Sequence, residues 1–283
     1  MWSVQRPAIS TSDAYLTVAR ATKKVELRGR YVAAEPAVVS AATVFEAAVA
    51  SGATHGLDPA DFKVPRVTDG EMVDLYDLRL VDTERGRAIY EAIKAAPEYG
   101  RCPLCGQQPV TTLDHHLPKA VFAALTVVPT NLVPACKDCN HAKGHAVGGS
   151  PADEPIHPYF DIPDDDPWLT AVVLERTPPA LLFSVTPPSE WPSSLVSRVE
   201  KHFERFGLDA MYGALAATEL SNIKGDLRRV LQSGGPSEGP AMVRLRLEEA
   251  AESRREARVN SWQTAMYTAV AANPWYYSGG FLN

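Results

Sequence analysis

The sequence predicts a mainly helical α+β fold, and three observations carry that reading. Long stretches place apolar residues at three- and four-residue spacing, which is helical periodicity. Two runs rich in Val, Leu and Phe, 168–175 and 180–186, are separated by Thr177-Pro178-Pro179 and read as one hairpin. All four cysteines stand in two CxxC pairs, Cys102/Cys105 and Cys136/Cys139, with roughly 30 residues between the pairs, a spacing that suits a tetrahedral Cys₄ zinc site. The chain therefore divides into an N-terminal helical region (1–97), a cysteine-clamped finger (98–150), and a C-terminal hairpin with helices (151–283). With 283 residues and 45% hydrophobic content, it can bury a sizeable core.

Residues 1–30 are mixed polar and basic, and Lys23, Lys24, Arg28 and Arg30 read as a solvated arm. A helix is predicted from Pro36 to Ala50, stopped by Gly52. From Asp69 to Ala96 the apolar pattern fits one helix, or two broken near Asp82–Gly86, and Pro97 ends it. Five prolines and an acidic run make 151–167 irregular; Asp164-Asp165-Asp166 reads as a solvated turn, because adjacent carboxylates do not converge on one ion without a dedicated loop. After the hairpin, helices are predicted over Leu195–Phe206, Leu208–Leu231 and Ala241–Ala271, with breaks at Gly207 and Gly234-Gly235-Pro236. The last of these interleaves Arg and Glu at helical spacing, the mark of an ion-paired solvent face. The terminal aromatics around Trp262 and Pro274-Trp275-Tyr276-Tyr277 are expected to dock the tail.

A net charge of −6 does not advertise a nucleic-acid binder. The finger differs: Arg101, Lys119, Lys137 and Lys143 face only Asp114 and Asp138 in sequence, a local charge of +2. The N-terminus has no charged-then-apolar signal pattern, and no apolar run is expected to reach the roughly 18 residues that span a bilayer, so a cytoplasmic protein is expected and zinc is preferred to disulfides.

Between and after the cysteine pairs stand Leu113-Asp114-His115-His116-Leu117-Pro118-Lys119, then Asn131-Leu-Val-Pro, then Cys136-Lys-Asp-Cys139-Asn140-His-Ala-Lys143. Over about residues 98–147 this resembles the HNH endonuclease family. The resemblance implies a ββα-metal finger with structural zinc on Cys102, Cys105, Cys136 and Cys139. It implies His115 as the general base, a role suited to an imidazole titrating near pH 6.5. Asn131 would hold that base, while Asp114 and Asn140 would offer oxygen ligands to Mg²⁺ or Mn²⁺. Lys143, near the helix start, and Lys119 would meet phosphate. His116 and His141 are alternates: in a shifted register His115 becomes a ligand and His116 the base. The implied partner is DNA, with a regulatory ATPase or other defence-system partner and homo-oligomerisation left open, and the implied activity is metal-dependent phosphodiester hydrolysis in bacterial defence or restriction. The alternative is a non-catalytic zinc-stabilised nucleic-acid-binding or adaptor module, which needs only the cysteines.

Overall fold

Side-chain caps set the starts of the N-terminal helices. A computed structural model describes residues 2–145, 147–163 and 166–282, so Asp164 and Asp165 of the acidic triplet lie outside the described residues. Helix α1 (Thr11–Arg20) opens where Ser10 Oγ accepts the Asp13 N–H at 3.1 Å. Helix α3 (Asp69–Leu75) opens on a reciprocal capping box between Thr68 and Glu71, and continues into a π-helical turn, Tyr76–Leu80. Helix α4 (Glu84–Lys94) starts where Thr83 Oγ1 accepts the Gly86 N–H at 3.2 Å. Gly86 is required there, because a Cβ would stand 2.0 Å from the Arg79 carbonyl oxygen. The expected interruption near Asp82 is thus real, and the π turn precedes it.

Helix α2 (Val25–Ser51) is longer than expected and carries Pro36 on its exposed side. Pro36 removes its own N–H bond and crowds the Val32 carbonyl, and the packed Ala and Val residues that flank it keep the helix continuous. Arg30 is consequently no loose arm. It forks onto Glu71 at 2.6 and 2.9 Å and also donates to the Arg66 carbonyl at 2.6 Å. The expectation that no apolar run is long enough to cross a membrane is corrected by the same helix: between Glu35 and Glu46 it is Ala- and Val-rich, and by length and composition it passes that test. Its Tyr31, Val38, Phe45 and Val49 are core residues.

The finger follows as strand β1 (Thr112–His115), antiparallel to β2 (Leu132–Ala135), then helix α5 (Lys137–Lys143). Its Leu113, Leu117, Phe122, Leu125 and Leu132 belong to the cluster that holds Tyr15, Val38, Phe45, Met72 and Leu75. Because that core is shared, the boundary expected at 97/98 is not a domain boundary, and the chain divides instead into compact units 1–162 and 163–283. The break expected at 150/151 moves because Glu154, His157 and Tyr159 bond back into the first unit. Glu154 Oε1 accepts the His55 N–H at 2.8 Å, and the Tyr159 hydroxyl donates to the Leu132 carbonyl at 2.9 Å.

The second unit contains the predicted hairpin, β3 (Leu169–Leu174) antiparallel to β4 (Ala180–Val185), packed against α7 (Leu208–Ala257) and α8 (Trp262–Ala272), with α6 (Ser193–Arg205) preceding them. Gly235, at φ 62°, kinks α7 where a break was expected. The helix predicted over 241–271 is instead two, because Ser261 caps α8 by accepting the Thr264 N–H at 3.0 Å. Buried Asn260 just before that cap accepts the Trp168 N–H at 2.8 Å and donates to the Asp166 carbonyl at 2.7 Å, tying the hairpin entry to the interhelical turn. The tail docks: a short helix α9 (Pro274–Tyr277) buries Tyr276 against Phe281, ring centroids 5.6 Å apart.

Candidate metal centre

The first cysteine pair sits on a tight knuckle. The Gly106 N–H donates to the Cys102 carbonyl at 2.7 Å, and Gly106 holds φ at 69°, a region open to glycine. A Cβ at Gly106 would approach the Trp2 indole to 3.0 Å, so the N-terminal segment lies directly on the knuckle, where Trp2 N–H also donates to the Pro103 carbonyl at 2.7 Å. The second pair begins α5, with Cys136 as its cap. All four cysteines are buried free thiols whose sulfurs lie within 4.8 Å of one another. A tetrahedral ion with Zn–S bonds of about 2.3 Å would place its ligand sulfurs about 3.8 Å apart, so this cluster could hold a zinc-type ion. Two sulfurs accept from backbone donors: Gln108 N–H on Cys105 Sγ at 3.5 Å and Cys139 N–H on Cys136 Sγ at 3.4 Å. Cys105 and Cys136 are held below the usual thiol range, chiefly by hydrogen bonding from Cys102.

The polar residues of the finger occupy two sides of β1. Asp114 faces α5 and is buried, its Oδ2 2.9 Å from Lys143 Nζ. That contact is an ion pair outside hydrogen-bond geometry, so the buried Oδ2 has no well-directed donor. Burial pushes the Asp114 carboxyl up, and the Lys143 charge opposes the shift. Lys143 also donates to the His115 carbonyl at 2.6 Å. Lys143 thus corrects its expected placing: it lies in the last turn of α5, not near its start, and its ammonium is buried and engaged.

His115 turns the other way, as strand alternation requires. Its Nε2 lies 2.8 Å from the Thr126 carbonyl and its ring meets Tyr76 edge-on, centroids 4.6 Å apart. A carbonyl only accepts, so the proton of the neutral ring sits on Nε2 and the Nδ1 lone pair remains an acceptor. Burial pushes the imidazole down to about 3. On β1 the Asp114 carboxylate thus meets Lys143 of α5, and the His115 ring meets Thr126 and Tyr76.

Asn131 is wholly buried and closes that loop. Its Oδ1 accepts the Leu117 N–H at 2.8 Å, while Nδ2 donates to the carbonyls of Leu117 at 3.0 Å and Leu125 at 3.1 Å. Leu125 directly precedes Thr126, so Asn131 fixes the residue next to the one whose carbonyl meets the His115 ring. Asn140 lies half-buried one helical turn before Lys143, on the same face of α5. His141 is exposed on that helix. His116, the residue after β1, is buried, its ring 4.2 Å from His157 and 6.2 Å from Phe45. Lys119 pairs with Asp77 at 2.6 Å and stands over the Tyr76 ring at 4.7 Å. Tyr76, Asp77 and Thr126 were missed in the sequence: Tyr76 counts there as one more apolar position of a helix, and the Thr126 contribution is a backbone carbonyl.

In comparison with known proteins, the chain is 32% identical over 174 residues to Protein ea31 of Escherichia phage lambda. The match covers 60% of this chain and 59% of that relative's length. No family model matches the chain, and no solved structure does.

Proposed function

We propose that the chain is a metal-dependent DNA endonuclease of phage-related origin, with His115 as the base that takes a proton from the attacking water. The observation that carries this reading is the 2.8 Å contact of His115 Nε2 with the Thr126 carbonyl. Thr126 fixes the ring with hydrogen on Nε2 and leaves Nδ1 as an acceptor, which is the state a general base needs. Tyr76 and the Asn131-locked loop hold the ring at one orientation, so no reorganisation is needed when water is bound. The low proton affinity of the isolated ring rises when an anionic phosphate is brought beside it. Lys119, on the same side, is close enough to Tyr76 to meet that phosphate once it leaves Asp77.

Oxygen donors from Asp114 and Asn140 fit a hard cation such as Mg²⁺ or Mn²⁺, and the undirected Oδ2 of Asp114 supports that fit. When bound, such an ion supplies charge to the scissile phosphate and the departing oxygen. The Cys₄ cluster is a separate structural site that pins the start of α5 to the knuckle.

A second reading, a non-catalytic zinc-stabilised nucleic-acid-binding or adaptor module, is favoured by one observation: Asp114 is already neutralised by Lys143. Plasmid DNA incubated with purified protein and Mg²⁺ or Mn²⁺, against EDTA and a His115→Ala variant, separates the two. Metal-dependent nicking that falls at least a hundredfold in the variant supports the nuclease; equal nicking, or none in either protein, supports the binding module.

A further inference from the structure

We infer that Lys143 is a built-in counter-ion for Asp114, which a divalent cation must displace to bind, so that this lysine sets the metal affinity of the finger. The inference rests on the proposed cation site but reaches beyond it. The Lys143 ammonium lies 2.9 Å from Asp114 Oδ2 and 2.6 Å from the His115 carbonyl, and both side chains are almost wholly buried, at 3% and 6% exposure. A buried carboxylate needs a compensating charge, and here it has a univalent one supplied by the same chain.

The electrostatics decide between addition and exchange. The pair is neutral, so it offers an approaching divalent ion no net attraction, and with the ammonium in place the ion would sit beside a like charge in a weakly screened interior. Addition is therefore opposed, and exchange is left. The ammonium must swing from Oδ2 and give up its hydrogen bond to the His115 carbonyl, which solvent at the helix end replaces. Lys143 is at the last residue of α5, followed by Gly144 and exposed His145, so its four-carbon stem has a short route to solvent at the helix end. Asn140, one turn back on the same face of α5, would be the second oxygen donor. The His115 carbonyl faces the pair from β1, and Tyr76, from the π turn, feels the Asp114 charge.

The test uses the zinc-loaded full chain and Mn²⁺ as probe, read by loss of the free-ion electron paramagnetic resonance signal and by the melting temperature with and without Mn²⁺. Lys143→Gln keeps an amide that can donate to the His115 carbonyl and removes the charge; it should bind Mn²⁺ at least tenfold more tightly than the wild type. Lys143→Arg keeps the charge and should bind no more tightly than the wild type. Asp114→Asn should lose the site. Because Lys143→Gln leaves Asp114 uncompensated, it should melt lower without Mn²⁺ and recover with it. If the variant is too unstable to purify alone, Asp114→Asn/Lys143→Gln supplies a folded neutral pair that must bind no Mn²⁺. Equal or weaker Mn²⁺ binding by Lys143→Gln, tight binding by Lys143→Arg, or binding retained in either Asp114→Asn protein overturns the inference. None of these readouts depends on DNA cleavage: a failed nicking assay with tenfold tighter Mn²⁺ in Lys143→Gln refutes the nuclease and leaves the exchange standing.

Discussion

Replacing Asn131 with Ala should unfasten the loop that aims His115, and the size of the effect can be worked from its bonds. The side chain makes three hydrogen bonds, all to backbone groups: the Leu117 N–H and the carbonyls of Leu117 and Leu125. All are interior, so alanine leaves one donor and two acceptors without partners. At about 1–2 kcal/mol for each orphaned group, with partial relief by water entering the vacated volume, the loss is about 3–5 kcal/mol. That is a large share of a domain stability of roughly 5–15 kcal/mol. Asn131→Asp should lie between, since it keeps the acceptor for Leu117 N–H and turns the other oxygen on two carbonyls. Urea unfolding with zinc present, followed by far-UV dichroism and by Trp fluorescence, measures both variants. A loss under about 1 kcal/mol for Asn131→Ala would refute the account, because orphaned buried groups are not that cheap. The functional half is separable: under conditions where the variant is still folded, the Leu125 carbonyl beside Thr126 is no longer held, and nicking should fall with His115 unchanged.

Natively purified protein should contain one Zn²⁺ per chain by metal analysis, and Cys136→Ser should melt lower by roughly 10 °C, because it removes a ligand and the cap of α5 together; metal-free protein with an unchanged melting point would dismiss the structural ion. The Arg30–Glu71 fork gives an acid limb to stability. Hydrogen bonding from Arg30 holds the Glu71 carboxyl down at about 2, below the ordinary 4.5, so its contribution is complete above pH 4.5 and is lost as pH falls towards 2. Melting temperatures of the wild type and Glu71→Gln should converge as pH drops through that window, and a constant difference would show that the fork is not the source.

Fold class was legible because period and punctuation speak locally. Gly52 and Pro97 close helical patterns, and the Thr177-Pro178-Pro179 break between two Val/Leu runs leaves a hairpin as the natural outcome. What could not be read was where local signals meet tertiary ones. Pro36 argues for a helix start, yet α2 runs through it because the ring faces solvent and the other faces are packed. The boundary at 97/98 rests on the helix stop at Pro97, whereas the core that joins Phe45 to Leu125 and Leu132 is a matter of contacts between residues about 80 apart.

The site shows the same division more sharply. Spacing alone brings the cysteines together, because a CxxC knuckle and a helix start each impose their own geometry. Spacing does not say which way a strand residue points. Asp114 and His115 are adjacent in the chain and so must face apart on β1, and each is completed from elsewhere: one by Lys143, 28 residues on from His115, the other by the Thr126 carbonyl and the Tyr76 ring. A motif of residue types therefore names the participants without stating their charge state. In this chain the carboxylate carries its own cation, and the measurement that separates a nuclease from a retired finger is whether that cation can be exchanged for a divalent one.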